Sequence, residues 1–251
     1  MHRFYLPPDQ CRGPTLTLTG REAHHGQRVL RVRAGENVTV LDGEGSEIQC
    51  GVTTLSRDCI QLAVKERKET VAPACSITLV QAIPKGKLLD AIIQKATELG
   101  VSRIIPLLSE RVVSQIDDEK SVSKMEHWQT TAIEAIKQCG SPWLPHIETP
   151  LSPNKLRARK ESFDLFLIAS LQPGSRHART WFDAFRKGQN REPISICVWV
   201  GPEGDFSAAE VAAAVAAGAS PITLGNLVLR CETAATYCLS VLNYEISSAT
   251  T

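Results

Sequence analysis

Two short stretches near the C-terminus hold the residue types that do chemistry. The first, Gly201-Pro202-Glu203-Gly204-Asp205, sets two carboxylates among glycines. The second, Leu224-Gly225-Asn226-Leu227-Val228-Leu229-Arg230-Cys231-Glu232-Thr233-Ala234, sets a guanidinium and a third carboxylate beside an apolar run. Carboxylates can accept a proton and a guanidinium can hold an oxyanion or a phosphate. Glycines let a ligand approach the backbone. Each stretch follows a strand-like apolar run and leads into a helix. That is the arrangement of a small-molecule pocket at the carboxyl ends of parallel strands. A third loop of this kind, Ser170-Leu171-Gln172-Pro173-Gly174, follows the apolar run 163–169. Cys231 lies between Arg230 and Glu232 at a helix start, where a thiol pKa can fall. No histidine follows it in the chain to serve as its base, which argues against a cysteine nucleophile.

Several common sites are missing. The chain has no G-x-x-x-x-G-K-[ST] phosphate loop, no G-x-G-x-x-G after an early strand and no G-x-S-x-G elbow. Its eight cysteines include no C-x-x-C pair and no zinc-finger spacing, so buried free thiols are expected. His24 and His25 are adjacent, and neighbours on a helix point in different directions, so no metal site is expected. No apolar run approaches the roughly 20 residues that cross a bilayer. The start of the chain is too short in apolar residues for a secretory signal, and a cytoplasmic location is expected.

The elements that must position these loops change character along the chain. Residues 1–72 alternate polar and apolar at 15–19, 36–41, 48–52 and 60–64, the period of strands with one buried face. Short strands in so few residues favour a small closed barrel. Arg21 to Arg31 interrupts them with a short basic helix. A polar stretch ending in Pro73 places the domain boundary there. From Cys75 onward, a continuous apolar run (77–83), a helical stripe (88–99) stopped by Gly100, and a second apolar run (103–108) form a βαβ unit and hence a parallel sheet. A helix over 122–139 follows, with Asp117, Asp118 and Glu119 at its positive end. Ser152-Pro153 and Ser207-Ala208-Ala209-Glu210 read as helix starts, the latter a capping box. The last helix spans about 232–247.

Net charge is only +1, but it is unevenly placed. Residues 1–33 hold six arginines against Asp9 and Glu22, a net of +4, which leaves −3 for the rest. This asymmetry predicts a polyanion-binding face, with Arg3, His24, His25, Arg28 and Arg31 as candidate contacts to a polyanion such as RNA.

Several motifs occur together in one order: Glu22-Ala23-His24-His25 with Val29-Leu30-Arg31, Lys85-Gly86-Lys87, Lys95-Ala96-Thr97-Glu98-Leu99-Gly100-Val101, Gly201-Pro202-Glu203-Gly204, and Leu229-Arg230 with Glu232-Thr233-Ala234. In this the chain resembles the bacterial ribosomal RNA small subunit methyltransferase E family of SPOUT (trefoil-knotted) methyltransferases. The resemblance implies an α/β protein with a PUA-like β-barrel over 1–72 and a knotted parallel-sheet domain over 73–251. It implies a homodimer that uses S-adenosylmethionine to methylate N3 of a uridine, usually numbered 1498, in 16S ribosomal RNA or the small ribosomal subunit. Carried over, the cofactor residues would be Leu171, Gly201, Gly204, Leu224, Gly225 and Leu229. In that reaction Arg230 would stabilise a uracil oxygen or a phosphate, and Glu232 or Glu203 would accept the N3 proton. The chain departs from the family pattern at Asn226-Leu227, at Asp205, where glycine is usual, and at Lys137-Gln138-Cys139-Gly140-Ser141-Pro142. The rival readings are ribose 2′-O-methylation by another SPOUT enzyme and a non-catalytic RNA-binding assembly factor.

Overall fold

The computed structural model describes residues 1–111 and 118–247. Asp117 lies outside the described residues. The chain divides into two compact units, one of residues 1–72 with 133–144, the other of 73–132 with 145–251.

In the first unit, strands β1 (His2–Tyr5), β2 (Thr15–Thr19), β3 (Asn37–Leu41), β4 (Ser46–Leu55) and β5 (Cys59–Glu69) form one sheet in the order β1-β3-β4-β5-β2. The alternating sequence sends Leu16, Leu18, Val38, Val40, Ile48, Val52, Ile60 and Leu62 into a single core with Phe4. Register shifts at Gln49/Cys50 and Val52/Thr54 bend β4 around that core. The short strand β1 had no alternation to reveal it; it pairs parallel to β3 and buries Phe4. The basic helix is α1 (Gly20–His24) continued by a π-helical turn, His25–Leu30. Gly26 lets that turn press onto the core, because a Cβ there would lie 2.7 Å from Ile60 Cδ1.

The unit also takes in the last turns of helix α3 (Asp118–Cys139) and the loop after it. Lys137 is buried in this unit, its Nζ 2.8 Å from Glu22 Oε1 and 3.0 Å from Glu134 Oε1. Glu22 Oε2 accepts the Tyr5 N–H, so one carboxylate joins strand, helix and α3. Leu144 donates its N–H to the Gly43 carbonyl, and Trp143 bridges to Glu44.

The second unit is a six-stranded sheet of β6 (Ser76–Ala82), β7 (Arg103–Leu107), β8 (His146–Ile147), β9 (Leu165–Ala169), β10 (Ser195–Val200) and β11 (Ser220–Ile222), in the order β11-β9-β10-β6-β7-β8. Every pair is parallel, as the unbroken apolar runs require of strands buried on both faces. On one face Val80, Ile105, Ile168, Cys197 and Trp199 pack with Leu156 of α4 (Pro153–Ala158) and with Val211 and Ala214 of α6 (Ala208–Ala216). Helix α7 (Cys231–Ser247) packs on α2 (Leu88–Glu98), α5 (Ala178–Gln189) and β10. Asn243 Nδ2 fastens α7 to the Leu99 carbonyl at 2.6 Å. Both predicted helix starts form: Ser152 Oγ accepts the Lys155 N–H, and Ser207 and Glu210 complete the capping box. This strand order sets the carboxyl ends of β9, β10, β6 and β7 side by side, so the loops that follow them are neighbours.

Candidate cofactor cleft and active site

The loops after β9, β10 and β11 enclose a cleft of about 540 Å³, counted with its open mouth. Leu171, Gly201, Leu224, Gly225 and Leu229 line it together with Glu203 and Asp205. Gly204 is not among the lining residues; its carbonyl accepts a hydrogen bond from the Arg111 guanidinium. Leu227 and Val228 also line the cleft, although the departure at Asn226-Leu227 had marked this as the least familiar segment. Gly225 has φ 110°, a backbone conformation that side chains of L-residues resist.

The Gly201–Asp205 loop is held from three sides. Glu203 Oε1 accepts the backbone N–H of Lys85, in the loop after β6, at 2.9 Å. Beyond β7, Arg111 reaches the Gly204 carbonyl, and the Glu110 N–H donates to Glu210 Oε1 at 2.9 Å. Asp205 closes the third side. It sits at φ 59°, and its Oδ2 accepts the Leu171 N–H at 3.2 Å while Oδ1 accepts the Phe206 N–H at 2.8 Å. Beneath the loop, the fully buried Gln81 extends Nε2 to the carbonyls of Val200 and Gly201, each at 3.4 Å. Of these supports, only the glutamates, Asp205 and Lys85 stood out in the sequence. Arg111 and Gln81 carried no local signal, since sheet topology alone brings them to this loop.

Arg230 and Glu232 flank Cys231, which lines the cleft. Arg230 is exposed. Glu232 keeps Oε2 buried without a hydrogen-bond partner among the described residues. Burial, with Glu203 and Glu232 adding to it, pushes the Cys231 thiol up to about 11. It is therefore protonated near neutral pH and no nucleophile. All eight cysteines are free, and only Cys139 is exposed. Among the described residues no cluster of metal-ligating side chains occurs, and no helix is long and apolar enough to cross a membrane.

In the first unit, His24, Arg28 and Arg31 are exposed and His25 is half-buried. Arg3 was expected among the RNA contacts. Its Nη1 donates to the carbonyls of Lys137 and Gln138, at 3.2 and 3.1 Å, at the end of α3.

Residues 71–243 match the model of the RNA methyltransferase domain family, and residues 18–65 match that of the RNA methyltransferase PUA domain. The ribosomal RNA small subunit methyltransferase E of Synechocystis sp. is 33% identical over 252 residues, 98% of this chain and 78% of the relative. The chain belongs to the ribosomal RNA small subunit methyltransferase E family. The Bacillus subtilis member is 30% identical, spanning 98% of this chain and 97% of its own. Among solved structures, a putative methyltransferase of Legionella pneumophila, in complex with bound cofactor SAM, superposes with a TM-score of 0.86 at 31% identity over 96% of each chain. The Neisseria gonorrhoeae member of the family, bound to S-adenosyl methionine, gives 0.83 at 30% identity over 97% of each. The second unit is thus a SPOUT-class, trefoil-knot parallel sheet and the first a PUA domain. Family membership makes the chain an RNA methyltransferase.

Proposed function

We propose that this chain transfers a methyl group from S-adenosylmethionine to N3 of a uridine in 16S ribosomal RNA, the one usually numbered 1498. The observation that carries this reading is the continuity of the cleft wall with Arg230-Cys231-Glu232. That continuity sets a cation with no ion pair among the described residues, and a carboxylate whose buried Oε2 has no hydrogen-bond partner among them, on either side of the cleft-lining Cys231.

The residues present fit the cofactor. Leu171, Val200, Leu227, Val228, Leu229 and Ala234 give apolar walls for adenine, and the glycine loops expose backbone groups to its edge. Glu203 and Asp205 make the same space favourable to positive charge. When bound, S-adenosylmethionine supplies a methyl group already activated on a sulfonium. The chain's own task is to deprotonate N3, hold the resulting uracil anion and align it. Arg230 provides the positive charge for a uracil oxygen. Glu232 accepts the N3 proton, for which its unpartnered oxygen is suited. Glu203, already tied to the Lys85 N–H, is the second choice for that role. The exposed His24, Arg28 and Arg31 offer the RNA backbone a basic surface. A homodimer accounts for Leu227 and Val228, each 77% exposed, together with the exposed Tyr237 and Tyr244 of α7.

Mass spectrometry of 16S RNA from a strain lacking this gene, with and without the gene restored, tests the assignment. Loss of N3-methyluridine that returns with the gene is expected. Its persistence in the deletion strain would remove the target assignment, and undetectable S-adenosylmethionine binding by calorimetry would remove the cofactor. Asp205 gives a finer test. Asp205→Gly cuts the tie to Leu171 while relieving the left-handed backbone. Cofactor affinity is expected to drop about tenfold, the worth of one hydrogen bond to a charged group, without a lower melting temperature. Unchanged affinity would show that the Leu171 loop holds its shape without Asp205.

A further inference from the structure

From Ile77 to its end, β6 is buried, and its side chains are apolar except at Thr78 and Gln81. Thr78 is served by Arg103, whose Nε donates to its Oγ1 at 3.3 Å. Gln81 is only half served. It is fully buried, and its Oε1 has no hydrogen-bond partner among the described residues. An apolar side chain of the same length would spare the folded chain that orphaned acceptor. Stability therefore does not account for an amide at this position.

The other end of the amide does what the backbone of β6 does not. Past Ala82, β6 turns away from β10. The Ile83 N–H goes to the Leu107 carbonyl, Pro84 has no N–H, and the Lys85 N–H goes to the Glu203 side chain. Gln81 is the ladder partner of Val200, the last residue of β10. Its Nε2 donates to the Ala82 carbonyl at 3.0 Å and, over the longer distance of 3.4 Å, to the carbonyls of Val200 and Gly201. Three carbonyls around one nitrogen also dictate which way the amide points. Val200 and Gly201 are part of the cleft wall, at the point where strand gives way to glycine loop. Without a donor beneath it, the glycine there would leave the carbonyl free to turn.

We propose that Gln81 is a positioning residue for the cofactor. Its amide holds the Val200 and Gly201 carbonyls in the orientation that S-adenosylmethionine meets, so this part of the wall is formed before the cofactor arrives. The proposal rests on reading this cleft as the cofactor site.

Gln81→Met keeps the length of the side chain and removes both ends of the amide. Calorimetry is expected to show S-adenosylmethionine binding about five- to tenfold more weakly. Without cofactor the variant should melt no more than about 2 °C below the parent, because the orphaned Oε1 is lost together with the donors. At saturating cofactor, turnover should stay within about twofold of the parent, the loss appearing in KM. A residue that only held β6 against β10 would instead lower the melting temperature and leave the affinity of the folded protein unchanged. Affinity equal to the parent's, or a loss of affinity only in step with a lower melting temperature, overturns the proposal. NMR of the parent separates that failure from failure of the site. If cofactor shifts the Gly225 and Leu229 amides and Gln81→Met binds as the parent does, only the role of Gln81 falls. If cofactor binds and those amides do not move, the site reading falls and takes this proposal with it.

Discussion

Arg230→Ala is expected to slow methyl transfer by roughly 10²–10³-fold while S-adenosylmethionine affinity stays within about twofold. Arg230 is exposed and is not among the residues lining the cleft, so removing its side chain takes nothing from the cofactor's walls. Under the proposed mechanism it removes the positive charge that would face a uracil anion, which would exist only after N3 has lost its proton. An interaction made chiefly in the transition state appears in kcat rather than in ground-state binding. Single-turnover methylation of an RNA substrate at saturating cofactor, with calorimetry on the same variant, separates the two. A parallel loss of cofactor binding would show that Arg230 supports the cleft instead. Raising the pH should partly rescue the alanine variant, because hydroxide then helps to generate the anion that Arg230 no longer stabilises. Retained activity would leave the anion to another cation, for which Lys85, in the loop that meets Glu203, is a candidate.

How much of this was legible in the sequence depends on the range of the interactions involved. The unbroken apolar runs at β6, β7, β9 and β10 announced a parallel sheet because strands buried on both faces must read that way. Capping at Ser207 and Ser152 was readable because a cap is decided within four residues. The glycine loops stood out through their composition, and Leu171, Gly201, Leu224, Gly225 and Leu229 do meet in one cleft. Strand order was another matter. Nothing local says that β10 inserts between β9 and β6, and that insertion is what brings Lys85 to Glu203 and Gln81 to Gly201. Asp205 looked like a departure from pattern, yet its carboxylate ties two loops together, a role visible only once Leu171 lies across from it. The same limit explains Arg3. A count of charges at 1–33 could not reveal that one of the six arginines is occupied by carbonyls more than 130 residues away in the chain. Nor could it reveal that residues 133–144 belong with the first unit, because α3 runs on without a break in its helical pattern.

Lys137 turns that last point into a measurable stability effect. Its side chain is 6% exposed and lies between Glu22 and Glu134, and Glu22 is itself 12% exposed. Removing one partner of such a pair strands the other charge away from water, which costs about 3–5 kcal/mol. Lys137→Met should therefore lower the unfolding temperature of the first unit by roughly 10 °C or more. The penalty belongs to the stranded carboxylate rather than to a lost attraction, so neutralising that carboxylate should return part of it. Glu22→Gln/Lys137→Met is accordingly expected to be more stable than Lys137→Met alone, since the amide can still accept the Tyr5 N–H that Glu22 Oε2 now holds. Calorimetric melts of the parent, the two single variants and the double variant form a complete cycle. If Lys137→Met melts within about 2 °C of the parent, the pair contributes little and Glu22 reaches solvent in the folded protein. If the double variant is no better than Lys137→Met, the loss lies in the packing of the lysine stem instead. The second unit's cofactor affinity should be unchanged below the melting transition. The effect would then mark Glu22, the first residue of the Glu22-Ala23-His24-His25 motif, as the residue that fastens the last turns of α3 within the first unit.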